Sequence, residues 1–360
     1  MVFDGNLGTF DRLAASLEKA FNFLVSGRNL DGLWSDFLTL AGESVFWVSG
    51  YVGYALIRYD EACNREKWLE KVGFGILGNQ NVDGGWGYGY GVPSDADSTS
   101  WCLLFLSRLG LQSQESRKRA LLFLLKHQNG DDGGFRTYAS PEDVGRYMGL
   151  DGSVSFEGWS SSQMCVTAVA AQALIENGSA KGVEGALEYI RDGQAGGGYW
   201  NPYWWSGKLY ATVHCMKALN SKGKEDDVDL LNNAQKWIIG TQLSDGSWND
   251  SLSQQIGWSF STALALSGMM VRLNPSFSGR IRDGVRWLLD RQLTDGSWAS
   301  NHILRIPYPF TMDPWNQSFW KEDGKAVNAT IKDHRRLYTT ATVFAALKEY
   351  ENQVFEGEMH

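Results

Sequence analysis

One short cassette recurs six times in this chain, and no other feature restricts its fold as much. In each copy a Gln, or once an Arg, is followed by Asp-Gly or a pair of Gly and is closed by Trp, or once by Phe. The copies are Arg28–Trp34 (RNLDGLW), Gln80–Trp86 (QNVDGGW), Gln128–Phe135 (QNGDDGGF), Gln194–Trp200 (QAGGGYW), Gln242–Trp248 (QLSDGSW) and Gln292–Trp298 (QLTDGSW). Their starts lie 52, 48, 66, 48 and 50 residues apart. Such a period marks a repeat architecture, in which each unit buries its apolar face only against its neighbours. A functional site must then lie in what the repeats enclose.

The stretch before each cassette mixes charge with apolar residues at three- and four-residue spacing, as in Arg65–Leu77 and Asp283–Arg291. That spacing predicts a helix with one wet face. The stretch after each cassette carries little charge and much Ala, Val and Leu, as in Gln163–Leu174, Thr262–Val271 and Tyr338–Leu347. A helix apolar almost all round is buried on all sides. Each repeat therefore reads as an outer helix, a Gly-Trp turn and an inner helix. Six such hairpins predict an all-α (α/α)6 toroid, a double α-barrel with six inner helices inside six outer ones. Residues 1–360 are read as one such domain. The Gly residues permit the tight turn, the Trp is expected to pack over the next helix, and the Gln to cap helix-end groups. Trp34, Trp248 and Trp298 are accordingly read as structural staples.

Composition narrows the function. Hydrophobic residues at 43% and charged residues at 21% describe a soluble chain with a sizeable core. A net charge of −8 argues against nucleic acid as a partner. No run of 18 apolar residues predicts a membrane span, and the start MVFDGNLGTF does not read as a signal peptide. Cys63, Cys102, Cys165 and Cys215 are scattered and form no CxxC pair, so they read as small hydrophobes in a reducing compartment. A cytoplasmic location follows as the expectation. Aromatic residues are in excess: 16 Trp, 17 Phe and 14 Tyr far outnumber the six cassette ends.

Two connections are long, Arg136 to Ser160 and Ala299 to Arg336, and the second holds Tyr308, Phe310, Trp315, Phe319 and Trp320. Loops of this length inside a compact domain are usually lids or binding loops; both are read as flaps over one mouth of the ring. Between the second cassette and its inner helix lies the segment Pro93–Trp101 (PSDADSTSW). Asp95, Asp97, Ser98 and Thr99 are all good helix-start residues, and a plain N-cap is one reading. The other is chemical. Inner helices of one hairpin type start at the same end of the ring, so the two carboxyls face the aromatic mouth. Two neighbouring carboxylates repel, and burial raises a carboxyl pKa by up to about 3–5 units, which outweighs the pull of a helix N-terminus, about 0.3–1 kcal/mol towards the anion. A neutral Asp aimed into a greasy cavity can protonate an alkene, and aromatic faces can hold the resulting cation.

The cassettes resemble the QW repeats of squalene–hopene cyclase and its relatives, and GGWGYGYGVPSDADSTSW resembles the approach to that family's DxDD acid motif. The resemblance extends over essentially the whole chain, as the family's catalytic β-domain alone, and is closest to the monodomain cyclases that build meroterpenoids. It implies a class II terpene cyclase acting on a linear prenyl chain, specifically a farnesylated hydroxybenzoic acid, without metal or redox cofactor. Carried over by position, Asp97 is the proton donor and Asp95 its supporting carboxylate. The third acidic position is Ser98, so the motif is DxDS, and the family's supporting His falls near Val169. Ser98, Thr99 or water would then orient Asp97. The resemblance also implies pocket roles for Trp204, Tyr138, Tyr88 and Tyr338. Trp159, Trp47, Trp258, Phe310 and Trp101 join them as rings that precede or open inner helices. A carboxylate on the aryl part calls for a cation at the mouth, for which Arg136, Arg305, Arg335, Arg336 and Lys208 are candidates. So greasy a substrate also points to peripheral contact with a membrane surface.

Two other readings compete. A protein prenyltransferase β-subunit shares the toroid but needs zinc held by Asp, Cys and His; His127, His214, His302, His334, His360 and the four Cys make no clear ligand set, and adjacent His214 and Cys215 point to different helix faces. A toroidal isoprenoid-binding module would have no use for an acidic pair at its mouth. A class I synthase is disfavoured, because Asp226-Asp227-Val228-Asp229 has the wrong spacing for DDxxD, and the triad that begins at Asn249-Asp250 has Gly257 at its Glu position.

Overall fold

A computed structural model describes residues 7–60, 67–149, 154–249, 256–322 and 326–358; Cys63, Asp250 and His360 lie outside these. The helices run in order α1 (Leu7–Ser26), α2 (Phe46–Asp60), α3 (Lys67–Leu77), α4 (Ala96–Leu109), α5 (Gln114–His127), α6 (Pro141–Tyr147), α7 (Met164–Glu176), α8 (Val183–Asp192), α9 (Leu209–Asn220), α10 (Val228–Gly240), α11 (Ser259–Met270), α12 (Ser278–Arg291) and α13 (Leu337–Glu358). Helices α2, α4, α7, α9, α11 and α13 pack each on the next, and α13 packs back on α2, so the inner ring is closed. Helices α1, α3, α5, α8, α10 and α12 surround it. This is the predicted helical toroid. The two rings differ as their sequences do: every residue of α11 is buried, whereas α12 buries one stripe that includes Ile281, Val285 and Leu288. No described helix is long and apolar enough to cross a membrane.

Each cassette is a clasp built from backbone groups that would otherwise go unpaired. The N–H of its closing residue donates to a Ser or Thr hydroxyl on the following inner helix: Trp34 to Ser49 at 2.9 Å, Trp86 to Thr99 at 3.0 Å, Phe135 to Thr167 at 2.7 Å, Trp200 to Thr212 at 3.1 Å, Trp248 to Thr262 at 3.0 Å and Trp298 to Thr340 at 3.4 Å. The five indole N–H groups donate to carbonyls near the end of the preceding outer helix, those of Leu24, Ile76, Ile190, Ile238 and Leu288. Carbonyls at a helix end lack an intrahelical partner, and the indole supplies one. The Trp248 ring also lies against Gly284 on the next outer helix, as expected. The Gln works differently from the expectation. Its amide bridges its own Gly turn to a carbonyl of the adjoining outer helix, as Gln80 does to Gly84 and Ser116, and Gln292 to Gly296 and Ser16. The last of these joins the sixth cassette to α1. At Gly84 the turn needs φ of +96° and leaves a Cβ only 2.6 Å from the Arg119 carbonyl oxygen, so only Gly fits.

Among the described residues, three short antiparallel strand pairs decorate one end of the ring. They pair β1 (Asp36–Thr39) with β2 (Gly42–Ser44), β3 (Trp86–Gly87) with β4 (Ser94–Asp95), and β5 (His302–Ile306) with β6 (Ala329–Lys332). The first and third rise over the N-terminal ends of the inner helices and, with α6, surround a cavity.

Candidate active site

The cavity sits on the N-terminal ends of α2 and α4 and on the loop before α9. Its enclosed space is about 130 Å³, with an open mouth. Asp95, Asp97 and Ser98 form part of its lining, Trp47, Tyr88, Tyr138, Trp159, Trp204 and Trp205 most of its aromatic wall, and Thr39, Leu40, Ala41, Tyr147, Met148 and Ile306 further parts of its wall. Both long connections contribute, the first through α6 and the second through β5.

Asp95 is the N-cap of α4. Its Oδ1 accepts the Ser98 N–H at 2.7 Å, and its Oδ2 accepts the Ser98 hydroxyl at 2.6 Å. Burial pushes its pKa up to about 6, with the Ser98 bonds restraining the rise. Asp97 stands one residue into the helix without such help. Its Oδ1 is buried and has no hydrogen-bond partner. Burial first, and then the neighbouring Asp95 charge, raise its pKa well above the ordinary carboxyl value; the Trp47 indole is the group that pulls it back. Trp47 Nε1 makes no hydrogen bond of proper geometry, so that pull is weak. Val169, at the position where a supporting His was expected to be missing, is wholly buried on α7. Burial thus favours the protonated form of Asp97, whose side chain lines the cavity.

Thr99 does not orient the acid. Its hydroxyl is the second cassette's clasp, accepting from the Trp86 N–H and donating to the Trp86 carbonyl. Ser98 also differs from the expectation: both its donors go to Asp95 and none to Asp97.

The rings form a connected wall. Tyr88 lies over Trp47 at 6.0 Å and 24°, and its hydroxyl donates to the Phe37 carbonyl at 2.7 Å. Tyr138, Trp159 and Trp204 follow one another at 6.4 and 5.5 Å. Trp204 Nε1 lies 2.7 Å from both Thr137 Oγ1 and Gln163 Oε1, which fixes the indole plane. Trp205, not anticipated from sequence, stacks on Tyr210 at 3.8 Å and lies 5.9 Å from Trp47. Its only signal was position in the run Tyr203-Trp204-Trp205. The β1–β2 hairpin tip and Tyr147 were also missed.

Four expected rings lie elsewhere. Tyr338 is fully buried beneath the cavity, stacked on Trp47 at 4.9 Å, and is not part of its lining. Trp101, one turn below Asp97, packs edge-on against Tyr51 at 4.7 Å. Trp258 faces a small gap behind Trp205, with Phe260 and Ile303. Phe310 is 56% exposed and stacks on Tyr308 at the surface. The candidate cations are engaged too. Arg305 is buried as a strut, donating to the Tyr203 and Pro202 carbonyls. Arg335 bonds Asn29, Ser35 and Gly27, Arg336 bonds Asp295, Arg136 bonds Asn129, and Lys208 sits over the Tyr199 ring. Among the described residues no Lys, Arg or His lines the cavity.

Comparison with known proteins places these features. The sequence model of the squalene–hopene cyclase C-terminal domain matches residues 161–312. A type II terpene cyclase from Scytonema, solved with its product merosterolic acid A, superposes with a TM-score of 0.86 at 28% identity over 95% of this chain and 98% of that one. Another structure of the same cyclase holds geranylgeranyl dihydroxybenzoate as substrate, with 29% identity and a TM-score of 0.84 over 94% of this chain and 97% of that one. A protein from Actinoplanes is 30% identical, with a TM-score of 0.84 over 94% of this chain and 99% of that one. A labda-7,13-dienyl diphosphate synthase from Streptomyces clavuligerus is 33% identical over 60 residues, 17% of this chain but only 11% of that protein's length.

Proposed function

Because this chain belongs to the class II terpene cyclases of the squalene–hopene cyclase superfamily, we propose that Asp97 protonates the terminal alkene of a linear prenyl chain carried on an aromatic acid. The cation forms at the more substituted carbon, successive alkenes close rings onto it, and proton loss or capture by the aryl group or its hydroxyl ends the cascade. Product and substrate then have the same mass. The observation that carries this reading is the partnerless, buried Oδ1 of Asp97 between Asp95 and an aromatic cavity. In water an alkene is too weak a base for a carboxylic acid; here burial makes the charged form costly and the rings offer the cation about 0.5–2 kcal/mol each. Asp95 acts as the supporting acid, and Trp47, Tyr88, Tyr138, Trp159, Trp204 and Trp205 as the cation-facing wall. Residues 1–360 act as one β-type domain.

The resemblance of the sequence to meroterpenoid cyclases implied a farnesyl chain. The substrate bound to the Scytonema cyclase carries a geranylgeranyl chain, and the same class of substrate is proposed here, with chain length as the open variable. A diphosphate head group is disfavoured, since no cation lines the cavity among the described residues, whereas a carboxylate at the mouth can stay hydrated. Leu40 and Tyr147 are exposed at that mouth, with Leu38 beside them; this apolar rim supports uptake of substrate from a membrane surface. Incubation with farnesyl and geranylgeranyl hydroxybenzoates, geranylgeranyl diphosphate and squalene is expected to give cyclised isomers of the benzoates. Asp97→Asn should form none while still quenching tryptophan fluorescence on binding; undiminished product from that variant overturns the assignment.

A further inference from the structure

A prenylated benzoate turned over by this chain is fixed at two points. Its terminal alkene must meet Asp97, and its polar head group must stay at the open mouth. A prenyl chain held at both ends takes in another isoprene unit only by folding sideways. The length accepted is then decided by a side wall and by what stands behind that wall.

Trp205 is a wall residue with space behind it. It lines the substrate cavity, its ring 5.9 Å from that of Trp47. It also lines a second space, walled by Tyr210, Trp258, Phe260, Ser261 and Ile303. The indole itself closes that space, stacked on Tyr210 at 3.8 Å and 16° and parallel to Phe260 at 5.3 Å and 12°. As it stands the gap is too narrow for a water. Its walls are as aromatic as those of the cavity, so an alkene or a cation placed there would meet the same kind of surface. Ser261 stands in the gap on α11, wholly buried, and its hydroxyl has no hydrogen-bond partner. An apolar side chain can therefore replace it without stranding a polar group.

The backbone at Trp205 is held independently of the ring. Trp205 pairs with Leu304 as an extra strand on β5. On either side of it the Trp204 carbonyl accepts the Arg305 N–H at 2.7 Å, and the Ser206 N–H donates to the Ile303 carbonyl at 2.9 Å. Truncating the indole leaves this backbone in place, and its surroundings can close the hole only in part. We propose that Trp205 is the chain-length stop of this cyclase. Its indole divides one aromatic space into the substrate cavity and a sealed side space, and so limits how many isoprene units fold between the mouth and Asp97. An indole is bulkier than an isoprene unit, so its removal makes room for one more. This role rests on the proton-initiated cyclisation proposed above.

Hydroxybenzoates carrying geranyl, farnesyl, geranylgeranyl and geranylfarnesyl chains are compared by kcat/KM, with cyclised isomers identified by mass detection. The quantity read is the kcat/KM for the chain one unit beyond the wild-type optimum, divided by that for the optimum itself. Trp205→Ala should raise this ratio by roughly tenfold or more. Trp205→Phe keeps a ring on the Tyr210 stack and should raise it by less, with the fold of both variants checked by thermal melting. Adding Ser261→Leu to Trp205→Ala refills the opened gap and should return the ratio towards wild type. A uniform fall for every chain length, as a ring that only supports the fold or the cation would give, leaves the ratio unchanged and overturns the stop. A raised ratio that Ser261→Leu does not reverse overturns it too, because the extra unit would then lie elsewhere. If wild type cyclises none of these chains, the cyclase reading fails and the stop with it; an unchanged ratio beside active wild type overturns the stop alone.

Discussion

Ser98 gives both of its donors to Asp95, its backbone N–H at 2.7 Å and its hydroxyl at 2.6 Å. The third position of the DxDS motif therefore serves the first acid and leaves the second uncompensated. The two carboxyls are thereby driven apart: Asp95 is pushed up only to about 6, while Asp97 rises well beyond the ordinary range.

Protonating Asp95 removes the negative neighbour that weakens Asp97 as an acid. The rate of cyclisation should therefore rise as pH falls through about 6. In Ser98→Ala the hydroxyl that favours the Asp95 anion is gone, and the same rise should occur at higher pH. Profiles of kcat from pH 5 to 8 for both proteins test this; coincident midpoints would mean that Asp95 does not control the acid.

The clasp hydroxyls should be structural in equal measure around the ring. Thr212 is wholly buried, and its hydroxyl is the acceptor for the Trp200 N–H. Thr212→Val keeps shape but strands that N–H, at a cost of about 1–3 kcal/mol. Thr212→Ser keeps the hydroxyl and should lose less. Denaturant melts of the two variants are the measurement, and equal losses would count against the hydrogen bond as the cause.

Asp333 predicts how stability depends on pH. It is buried and accepts hydrogen bonds from the Thr339 N–H and hydroxyl, yet burial and the nearby Asp36 raise its pKa from 3.8 to about 7. A carboxyl that binds its proton more tightly when folded stabilises the fold most below the unfolded value. That contribution is lost as pH climbs from about 4 to about 7. Asp333→Asn cannot titrate. Relative to wild type its melting temperature should improve steadily across this window and then run parallel. A gap that does not change with pH would show that Asp333 does not titrate there.

The helices were legible because period and polarity are local properties of the chain. Six cassettes, the charged stretches before them and the bland stretches after them are enough to specify two concentric rings. The Asp95–Asp97 pair was legible for the same reason, since a helix start is a local event. What the chain did not disclose is which partner each hydroxyl finds. Thr99 reads as a neighbour of the acid, yet it is one of the series Ser49, Thr99, Thr167, Thr212, Thr262 and Thr340, which is visible only once the cassettes are seen to fold back onto the inner helices. Trp101 is four residues after Asp97 and shares its helix face, but about 6 Å of rise puts it below the cavity floor. Trp204 and Trp205 point to adjoining parts of the wall because the chain there is a loop, where no periodicity assigns sides.

The wall itself can be tested at Trp204. Its indole N–H is held by Thr137 and Gln163, which also bond to each other at 2.5 Å. Trp204→Phe therefore leaves no stranded pair behind: the two polar groups keep one another, and the fold should melt near the wild-type temperature. What changes is the π face offered to the cation and the angle at which it is held. With a loss of roughly 0.5–2 kcal/mol of cation stabilisation, kcat should fall by roughly two- to thirtyfold. Because that loss affects a late cation more than the initial protonation, products with fewer rings should appear beside the full-length one. Gas chromatography with mass detection distinguishes these isomers. An unaltered product ratio at reduced rate would assign Trp204 to substrate binding alone, and an unaltered rate and ratio would remove it from the site.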